Sequence, residues 1–502
     1  MSRLTQACVL AAPACLLFLA GCKPVGPNYK RPEMTAPAAY KEAGAAVVSV
    51  PPSSPDGNGW KPASPSDGML RGKWWELYQD AQLNQLEERV TSGNQALKAA
   101  LENYQAAHTL VAQNRAGLFP TISAGPSVSR TRYGKQSASY NSTRNYPYND
   151  FALKAQASWE PDLWGSVRRS VESAQASAQV TAALAANVDL SLHAELAVDY
   201  FTLRGLDAEE RMLRETVASL EKQLALTETR RKGGVGTEAD VAQARTQLET
   251  VRAQLVEVGV ARAQNEHAIA YLCGSKPAEL SLPPSPLDSI PATQLPKIPL
   301  GVPSQILERR PDIAAAERNV AVANAQIGIA KSAYYPNISL SASGGFESMK
   351  AGSWIEGPGT LWSLGASATE LLFDAGRRKA VNEEARHSYE AEASSYRDTV
   401  LAAFEDVENQ LSTLRVLEQE AEVEARAVAS AQHSLDVANE RYKGGVTNYL
   451  EVIEAEYALL NNQRTQIDLE SRRFVATANL IRSLGGGWDS SQLPSEVVAK
   501  KK

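Results

Sequence analysis

The sequence predicts a mainly α-helical chain built from two copies of one unit, with β-strands of the kind that form membrane barrels. The first observation is a repeated glycine turn, because KGGV occurs at residues 232–235 and again at residues 443–446. Each turn separates long, proline-free stretches with apolar residues at helical spacing, as two antiparallel helices would require. Each half also contains stretches in which apolar and polar residues alternate, which indicates strands. We therefore expect a duplicated fold.

The amino terminus has the features of a bacterial lipoprotein signal. An apolar stretch over residues 7–20 is too short to span a bilayer, and the sequence LAG directly precedes Cys22. We expect residues 1–21 to be removed and Cys22 to carry S-diacylglycerol and N-palmitoyl groups. Lys23 at the second mature position permits sorting to the outer membrane, by resemblance to other lipoproteins. The alternative is an ordinary signal peptide that happens to contain a cysteine.

Composition limits the chemistry that the chain can perform. A net charge of −6 without a basic stripe argues against nucleic acid as a partner. Cys273 is left as a lone thiol after processing, and we expect it to be buried as a small apolar residue. The histidines lie singly on helical patterns, without metal or catalytic-triad spacing. They are His108, His193, His267, His387 and His433. We predict no catalytic residue, no metal and no cofactor.

The mature chain divides into five segments. Residues 22–75 are rich in Pro, Gly and Ser, so we expect an extended segment that tethers the lipid to the body. Residues 76–275 and 304–485 are the two repeats, each with a helix, a strand pair and a helical hairpin. The proline-rich residues 276–303 link the repeats, because so many prolines exclude a helix or a central strand. Residues 486–502 form a polar tail.

The helices are predicted from apolar periodicity and its breaks. One helix is expected over residues 83–117, before the first strand pair, and a long one over residues 166–231. The hairpins turn at residues 233–236 and 444–447. The coiled-coil rhythm is clearest after the second turn, where an apolar residue recurs every seven positions. These residues are Ile453, Leu460, Ile467, Phe474 and Ile481.

Four strands are predicted, and each repeat contributes two of them. They cover about residues 119–133, 150–164, 335–347 and 361–373. In the second strand the odd positions from Phe151 to Trp159 are apolar, whereas Lys154, Gln156 and Ser158 face the other way. One apolar and one polar face are typical of a transmembrane barrel strand.

Four strands cannot close a barrel alone, because transmembrane barrels begin at about eight strands. A bilayer tolerates no open sheet edge, so the chain must share a barrel with copies of itself. Two copies would give eight strands and a filled interior, and three would give twelve and leave room for a pore. The alternative is a soluble β-sandwich. Since the long helices continue from the strand ends, they would prolong the same cylinder into a conduit.

Several motifs in the expected order resemble the TolC/OprM outer-membrane efflux family, in its lipoprotein (NodT-type) branch. They are LAGC at 19–22, VGPNY at 25–29, WE at 159–160 with DLWG at 162–165, PS at 303–304 with LERRPD at 307–312, and LFDAG at 372–376. Nearly the whole mature chain is covered. Glu160-Pro161-Asp162 departs from the usual Glu-Leu-Asp, and a proline at a strand end is tolerable.

The resemblance implies a homotrimer with a twelve-stranded β-barrel that is continued by a long α-helical coiled-coil barrel in the periplasm. An equatorial region would come from the N-terminal segment, the linker and the tail. The implied partners are outer-membrane lipid, a periplasmic adaptor (membrane fusion protein) and an inner-membrane RND-type transporter. The implied function is that of the exit duct of a tripartite efflux pump, which conducts small molecules such as drugs passively.

The resemblance also implies two kinds of site at the periplasmic end. Family members with the same spacing use a leucine and an acid as constriction rings, which places Leu450 and Glu454 at the gate with Tyr449 beside them. The repeated turns would contact the adaptor. The residues of these turns are Gly233, Gly234, Val235, Gly444, Gly445 and Val446. Because different residues follow the two turns, we expect the second hairpin to move if one of them opens the tunnel.

Two other functions are compatible with parts of the pattern. The chain could be the outer-membrane channel of a type I protein secretion system, although the lipidated branch favours small-molecule efflux. It could instead be a lipid-anchored structural coiled coil of the envelope. That function would not need alternating strands with aromatic residues at or near their ends, here Trp159, Trp164, Trp354 and Trp362.

Overall fold

The computed structural model describes residues 23–43, 72–136, 146–287, 295–296, 298 and 303–494. Cys22 lies outside these residues. The first repeat contains α1 (Ala81–Gly93), α2 (Gln95–Ala116), β1 (Thr121–Thr131), β2 (Tyr148–Trp159), α3 (Ser166–Lys232) and α4 (Glu238–Leu272). The second contains α5 (Ile306–Arg309), α6 (Pro311–Ser332), β3 (Asn337–Ser348), β4 (Thr360–Thr369), α7 (Arg377–Lys443) and α8 (Tyr449–Ser483).

The duplication is visible in the helix lengths. The helices α3 and α7 each contain 67 residues, and α4 and α8 each contain 35. At a rise of 1.5 Å per residue, α3 and α7 are roughly 100 Å long. The hairpins pack through apolar seams such as Leu213, Leu220 and Val251, with Leu460 of the second repeat added. The prediction of a duplicated, mainly α-helical fold is confirmed.

The prediction of one helix over residues 83–117 is wrong, because the structure has two. Asn94 is extended, with φ −64° and ψ 126°, and its side chain caps α2 by accepting from the Leu97 amide. Its side-chain amide also donates to the Leu272 carbonyl at 2.9 Å. A Cβ on Gly93 would lie 2.3 Å from the Cys273 carbonyl oxygen. The helix is therefore interrupted at the point where it contacts the end of α4.

The four strands form one antiparallel sheet in the order β1-β2-β3-β4. Its centre, the β2–β3 pair, joins the two repeats, with Ala157 opposite Ala342. The register places most apolar positions of the four strands on one face, with Ala152 and Leu361 as exceptions. The opposite face, which we call the hydroxyl face, carries mainly Ser, Thr and Gly. Its hydroxyl residues include Thr121, Ser123, Ser127, Ser129, Ser158, Ser339, Ser341, Ser343, Ser363 and Ser367.

The largest buried cluster lies about halfway along the long helices and joins the repeats. Trp74 and Tyr78 of a short 3-10 segment pack here with Phe201 of α3 and Phe474 of α8. The Phe201 ring centroid lies 4.7 Å from that of Tyr78 and 4.8 Å from that of Phe474. Cys273 is buried at the edge of this cluster, as expected.

Residues 23–43 lie along the body and contact both repeats. The Val25 amide donates to the Trp164 carbonyl at 2.9 Å, next to the end of β2. Farther along, Arg31 donates to the Leu307 carbonyl at 3.0 Å, and the Lys41 amide donates to Glu408 at 2.7 Å. This stretch is therefore packed across the junction of the repeats, rather than acting as a loose tether alone.

The start of the proline-rich linker is held by buried charges. Asp207 of α3 accepts from the Ser285 amide at 2.8 Å and pairs with Arg204 and Arg262. Arg262 also donates to the Leu282 carbonyl at 2.7 Å. A buried carboxylate with this many donors is fully compensated, which fixes the linker against the hairpin.

None of the helices within the described ranges is long and apolar enough to cross a membrane.

Candidate functional site

The two glycine turns have the same backbone geometry. In the first, the Gly234 amide donates to the Arg231 carbonyl and the Val235 amide donates to the Arg230 carbonyl, both at 3.0 Å. Gly445 and Val446 repeat these bonds after α7, at 3.0 and 2.9 Å. This is the Schellman motif, which satisfies the last carbonyls of a helix with a left-handed residue at its end. Both turns therefore present one shape to the outside.

Each turn needs glycine for its conformation and leaves a valine exposed. Gly234 has φ +77° and Gly445 has φ +72°, and a Cβ on either would meet nothing within 4 Å. A side chain there would not clash, but its left-handed backbone conformation would destabilise the turn by roughly 1 kcal/mol. Val235 and Val446 are both exposed at the tips. A small, protruding apolar knob at each tip is suited to contact with another protein.

The helices that leave the two turns begin differently. Thr237 caps α4 by accepting from the Asp240 amide, while the Asp240 carboxylate accepts from the Thr237 amide. Such a capping box satisfies two otherwise free donors. At the start of α8 the corresponding residue is Asn448, whose side chain makes no capping hydrogen bond. The second hairpin therefore starts without the stabilisation that the first receives.

The predicted gate residues separate into two groups. Leu450 is 45% exposed and Glu454, one helical turn farther along, is exposed on the same side of α8. Tyr449 is only 1% exposed, and its hydroxyl donates to Gln223 of α3 at 3.0 Å. The assignment of Tyr449 as a gate-lining residue is therefore not supported, because its ring packs inside the chain and links the two hairpins.

A second link between the hairpins lies at the tips. The Arg230 guanidinium stacks over the Tyr442 ring, with its carbon 4.6 Å from the ring centroid. It also donates to the Lys443 carbonyl at 3.2 Å. Because a planar guanidinium can stack and donate together, Arg230 of the first hairpin holds the end of α7 in the second.

Glu456 is a buried carboxyl group that sequence reasoning missed. It is 4% exposed, and one of its oxygens has no hydrogen-bond partner. The Gln223 side-chain amide donates to the other oxygen at 3.5 Å. Burial raises the pKa of Glu456 to about 7. The sequence does contain an indication of this burial. Val452, Glu456 and Leu459 follow the spacing of a coiled-coil seam, and a glutamate at a seam position is buried.

His193 also has partners that the sequence did not reveal. Its Nδ1 lies 2.5 Å from a Glu87 carboxylate oxygen of α1, and its ring stacks on Trp75 at 4.4 Å. Burial opposes its charged form, but hydrogen bonds to Asp189 and Glu87 outweigh burial and raise the pKa of His193 to about 9. Burial raises the pKa of Glu87 to about 7, against the opposing effect of His193. The pair lies beside the largest buried cluster, to which Trp75 belongs, and far from the tips.

A four-stranded sheet with one apolar face, continuous with helical hairpins roughly 100 Å long, defines a channel of the outer membrane with a helical tunnel below it. The sequence profile described as "Outer membrane efflux protein" matches residues 86–275 and 302–486, so the chain belongs to this family.

Comparisons with individual proteins agree with this assignment. The chain is 29% identical to the pyoverdine export outer membrane protein OpmQ of Pseudomonas aeruginosa over 434 residues, which cover 86% of this chain and 90% of OpmQ. It is 31% identical to outer membrane protein OprJ of the same species, with 95% of each chain covered. The solved structure of the outer-membrane channel OprN superposes with a TM-score of 0.83 at 29% identity, covering 92% of this chain and 99% of OprN. The TolC-like fold, the outer-membrane location and the role in efflux are thereby established.

Proposed function

We propose that three copies of this chain assemble into one duct, with a shared twelve-stranded barrel and a periplasmic tunnel formed by their helical hairpins. The observation that carries the proposal is the sheet, whose outer strands β1 and β4 each have a neighbour on one side only. Apolar side chains on these strands are exposed, among them Ile122 and Leu364. An unpaired strand edge costs several kcal/mol per backbone group in lipid, and pairing β1 of one copy with β4 of the next removes both edges.

The duct passes small molecules and contains no catalytic step. Energy comes from an RND-type transporter of the inner membrane, and an adaptor protein joins that transporter to the tips at Val235 and Val446. The name of OpmQ records export of a small molecule, which supports small-molecule cargo over protein secretion. Copies of Leu450 form a hydrophobic constriction, and copies of Glu454 form an acidic ring that holds hydration or a cation.

Acylated Cys22 anchors each copy beside its barrel. The support comes from the chain that follows it, because Val25 is bonded to Trp164 next to the end of β2. Trp164 stacks on Tyr335 at 4.8 Å and donates to the Pro336 carbonyl at 2.7 Å, so aromatic rings gather at this level. Aromatic belts mark the membrane interface. A lipid on Cys22, three positions before Val25, would then reach the bilayer surface.

The proposal is tested with detergent-purified protein and a deletion strain. We expect a trimer in native mass spectrometry, single-channel currents in a planar bilayer, and restored drug resistance when the gene is returned. Metabolic labelling with palmitate should mark the wild type and not Cys22→Ser. A monomer or dimer without channel activity would contradict the duct, and an unlabelled wild type would contradict the anchor alone.

A further inference from the structure

The hydroxyl face of the sheet carries few charges, and two of them form a pair. The Lys154 Nζ of β2 lies 2.9 Å from the Glu347 carboxylate of β3. Lys154 is opposite Gly345, and Glu347 is opposite Ala152, so the pair is a diagonal across the junction of the two repeats. Gly345 has no side chain, which leaves the lysine room to extend toward Glu347.

This pair has no counterpart in the other strand pairs that the structure describes. By the alignment of the repeats, Gly365 of β4 corresponds to Lys154, and Thr131 of β1 corresponds to Glu347. The only other charged residue on the hydroxyl face of these strands is Asp150, opposite Ser129. It lies roughly 13 Å along the strand from Lys154, but only two positions beyond Ala152, the residue opposite Glu347, so it is a diagonal neighbour of Glu347 at about 7 Å. The pair therefore belongs to the β2–β3 junction and did not arise from the duplication.

Within the proposed trimer, which this inference assumes, the hydroxyl face lines the lumen because the apolar face contacts lipid. Three lysines and three glutamates would then form a ring toward the β3–β4 connection, because Glu347 is the second-last residue of β3, and three Asp150 carboxylates would lie beside them. The Lys154 and Glu347 side chains are 34% and 44% exposed, so both charges act on the lumen while they neutralise each other. Exposed ion pairs contribute little to stability, so stabilisation of the sheet is a weak explanation for this pair.

We propose that Lys154 and Glu347 set the charge selectivity of the outer-membrane part of the duct, by cancelling each other so that Asp150 is left as the net charge of this ring. A ring of one sign inside a low-dielectric wall concentrates counter-ions and excludes co-ions. With Lys154 and Glu347 cancelled, the ring keeps one carboxylate per copy, so its preference for cations is weaker than two carboxylates per copy would give. Stronger selection by charge is then left to the periplasmic end, where Glu454 lies.

The test measures the ratio of potassium to chloride permeability from reversal potentials in planar bilayers. All variants carry Glu454→Gln, so that the periplasmic carboxylates do not dominate the current. In 0.1 M salt, Lys154→Gln should raise the ratio about threefold or more, and Glu347→Gln should lower it by a similar factor. The double variant should return to the ratio of the parent, as should the exchanged pair K154E/E347K.

Lys350→Gln is the matched control, because this exposed lysine lies in the β3–β4 connection outside the strands. Its ratio should equal that of the parent. In 1 M salt the shifts of both single variants should shrink, since the Debye length falls to about 3 Å. Single variants that shift in the same direction, or not at all, in channels of normal conductance would overturn the inference and leave the duct intact. Absence of channels from the parent would overturn both.

Discussion

Glu456 offers the sharpest test of how the second hairpin is held. The substitution Glu456→Gln keeps the size of the side chain and removes its ability to ionise. The group is nearly fully buried between α8 and α3, with one oxygen unpaired and Gln223 at 3.5 Å from the other. An ionised carboxylate in such a place is poorly compensated. We therefore expect the glutamine variant to hold the tip more firmly than the wild type at alkaline pH.

The magnitude follows from the pKa. Burial raises the pKa of Glu456 from its ordinary 4.5 to about 7, so the native hairpin favours the protonated form. The stability that this preference provides is fully present below pH 4.5 and is lost as the pH rises through 7. At 1.36 kcal/mol per pKa unit, the loss is about 3 kcal/mol by pH 8, which is roughly a hundredfold in the opening equilibrium.

Amide hydrogen exchange of the tip peptides, corrected for the intrinsic pH dependence of exchange, measures this opening locally. The wild-type tip should open about a hundredfold more at pH 8 than at pH 4.5, and Glu456→Gln should remove that dependence. Glu451→Gln is the control, since Glu451 lies on the same helix but is exposed. Its ion pair with Arg441, at 3.7 Å, is exposed as well and contributes little to stability. If Glu456→Gln keeps the pH dependence, or the control abolishes it, the assignment of the buried carboxyl group is wrong.

Three other outcomes can be measured on the same protein. Leu450→Ala combined with Glu454→Ala should widen the proposed constriction and raise single-channel conductance, and unchanged conductance would remove both residues from the gate. Gly445→Leu should abolish drug resistance while trimers and membrane insertion persist. The reason is that φ +72° at this position disfavours a side chain and that leucine changes the surface of the tip. Wild-type resistance in this variant would contradict a docking role. His193→Ala should destabilise the region around the largest buried cluster by about 3 kcal/mol, because Glu87 is left buried without its partner. In the wild type, the contribution of His193 should be complete below pH 6.5 and lost as the pH rises through 9, as thermal unfolding of this region would show.

The features that were predictable from the sequence are those that local pattern encodes. The glycine turns, the seven-residue periodicity after Gly445 and the alternation from Phe151 to Trp159 each depend on residues close together in the chain. They therefore define the helices, the strands and the duplication. The break at Asn94 was missed although Gly93 and Asn94 form a common turn signal, because the apolar periodicity continues across it.

The pairs that connect distant segments could not be predicted in the same way. The contact of His193 with Glu87 and that of Lys154 with Glu347 depend on how α1 packs on α3 and on the register of β2 against β3. A one-residue shift of that register would exchange the two faces of the strand. The sequence shows a lysine on a polar face, and only the register shows which carboxylate it meets.

If one hairpin moves to open the tunnel, the asymmetry of the two tips leads us to expect that it is the second. Its turn has the same backbone as the first, so the turn itself gives no preference. The helix that follows lacks the capping box that Thr237 provides in the first hairpin, a difference of about 1 kcal/mol. The first hairpin contacts the second through two pairs: Tyr449 donates a hydrogen bond to Gln223, and the Arg230 guanidinium stacks over the Tyr442 ring. Opening then requires these contacts between hairpins to break while each hairpin stays folded, and Gln223 is the residue that touches both Tyr449 and the buried carboxyl group.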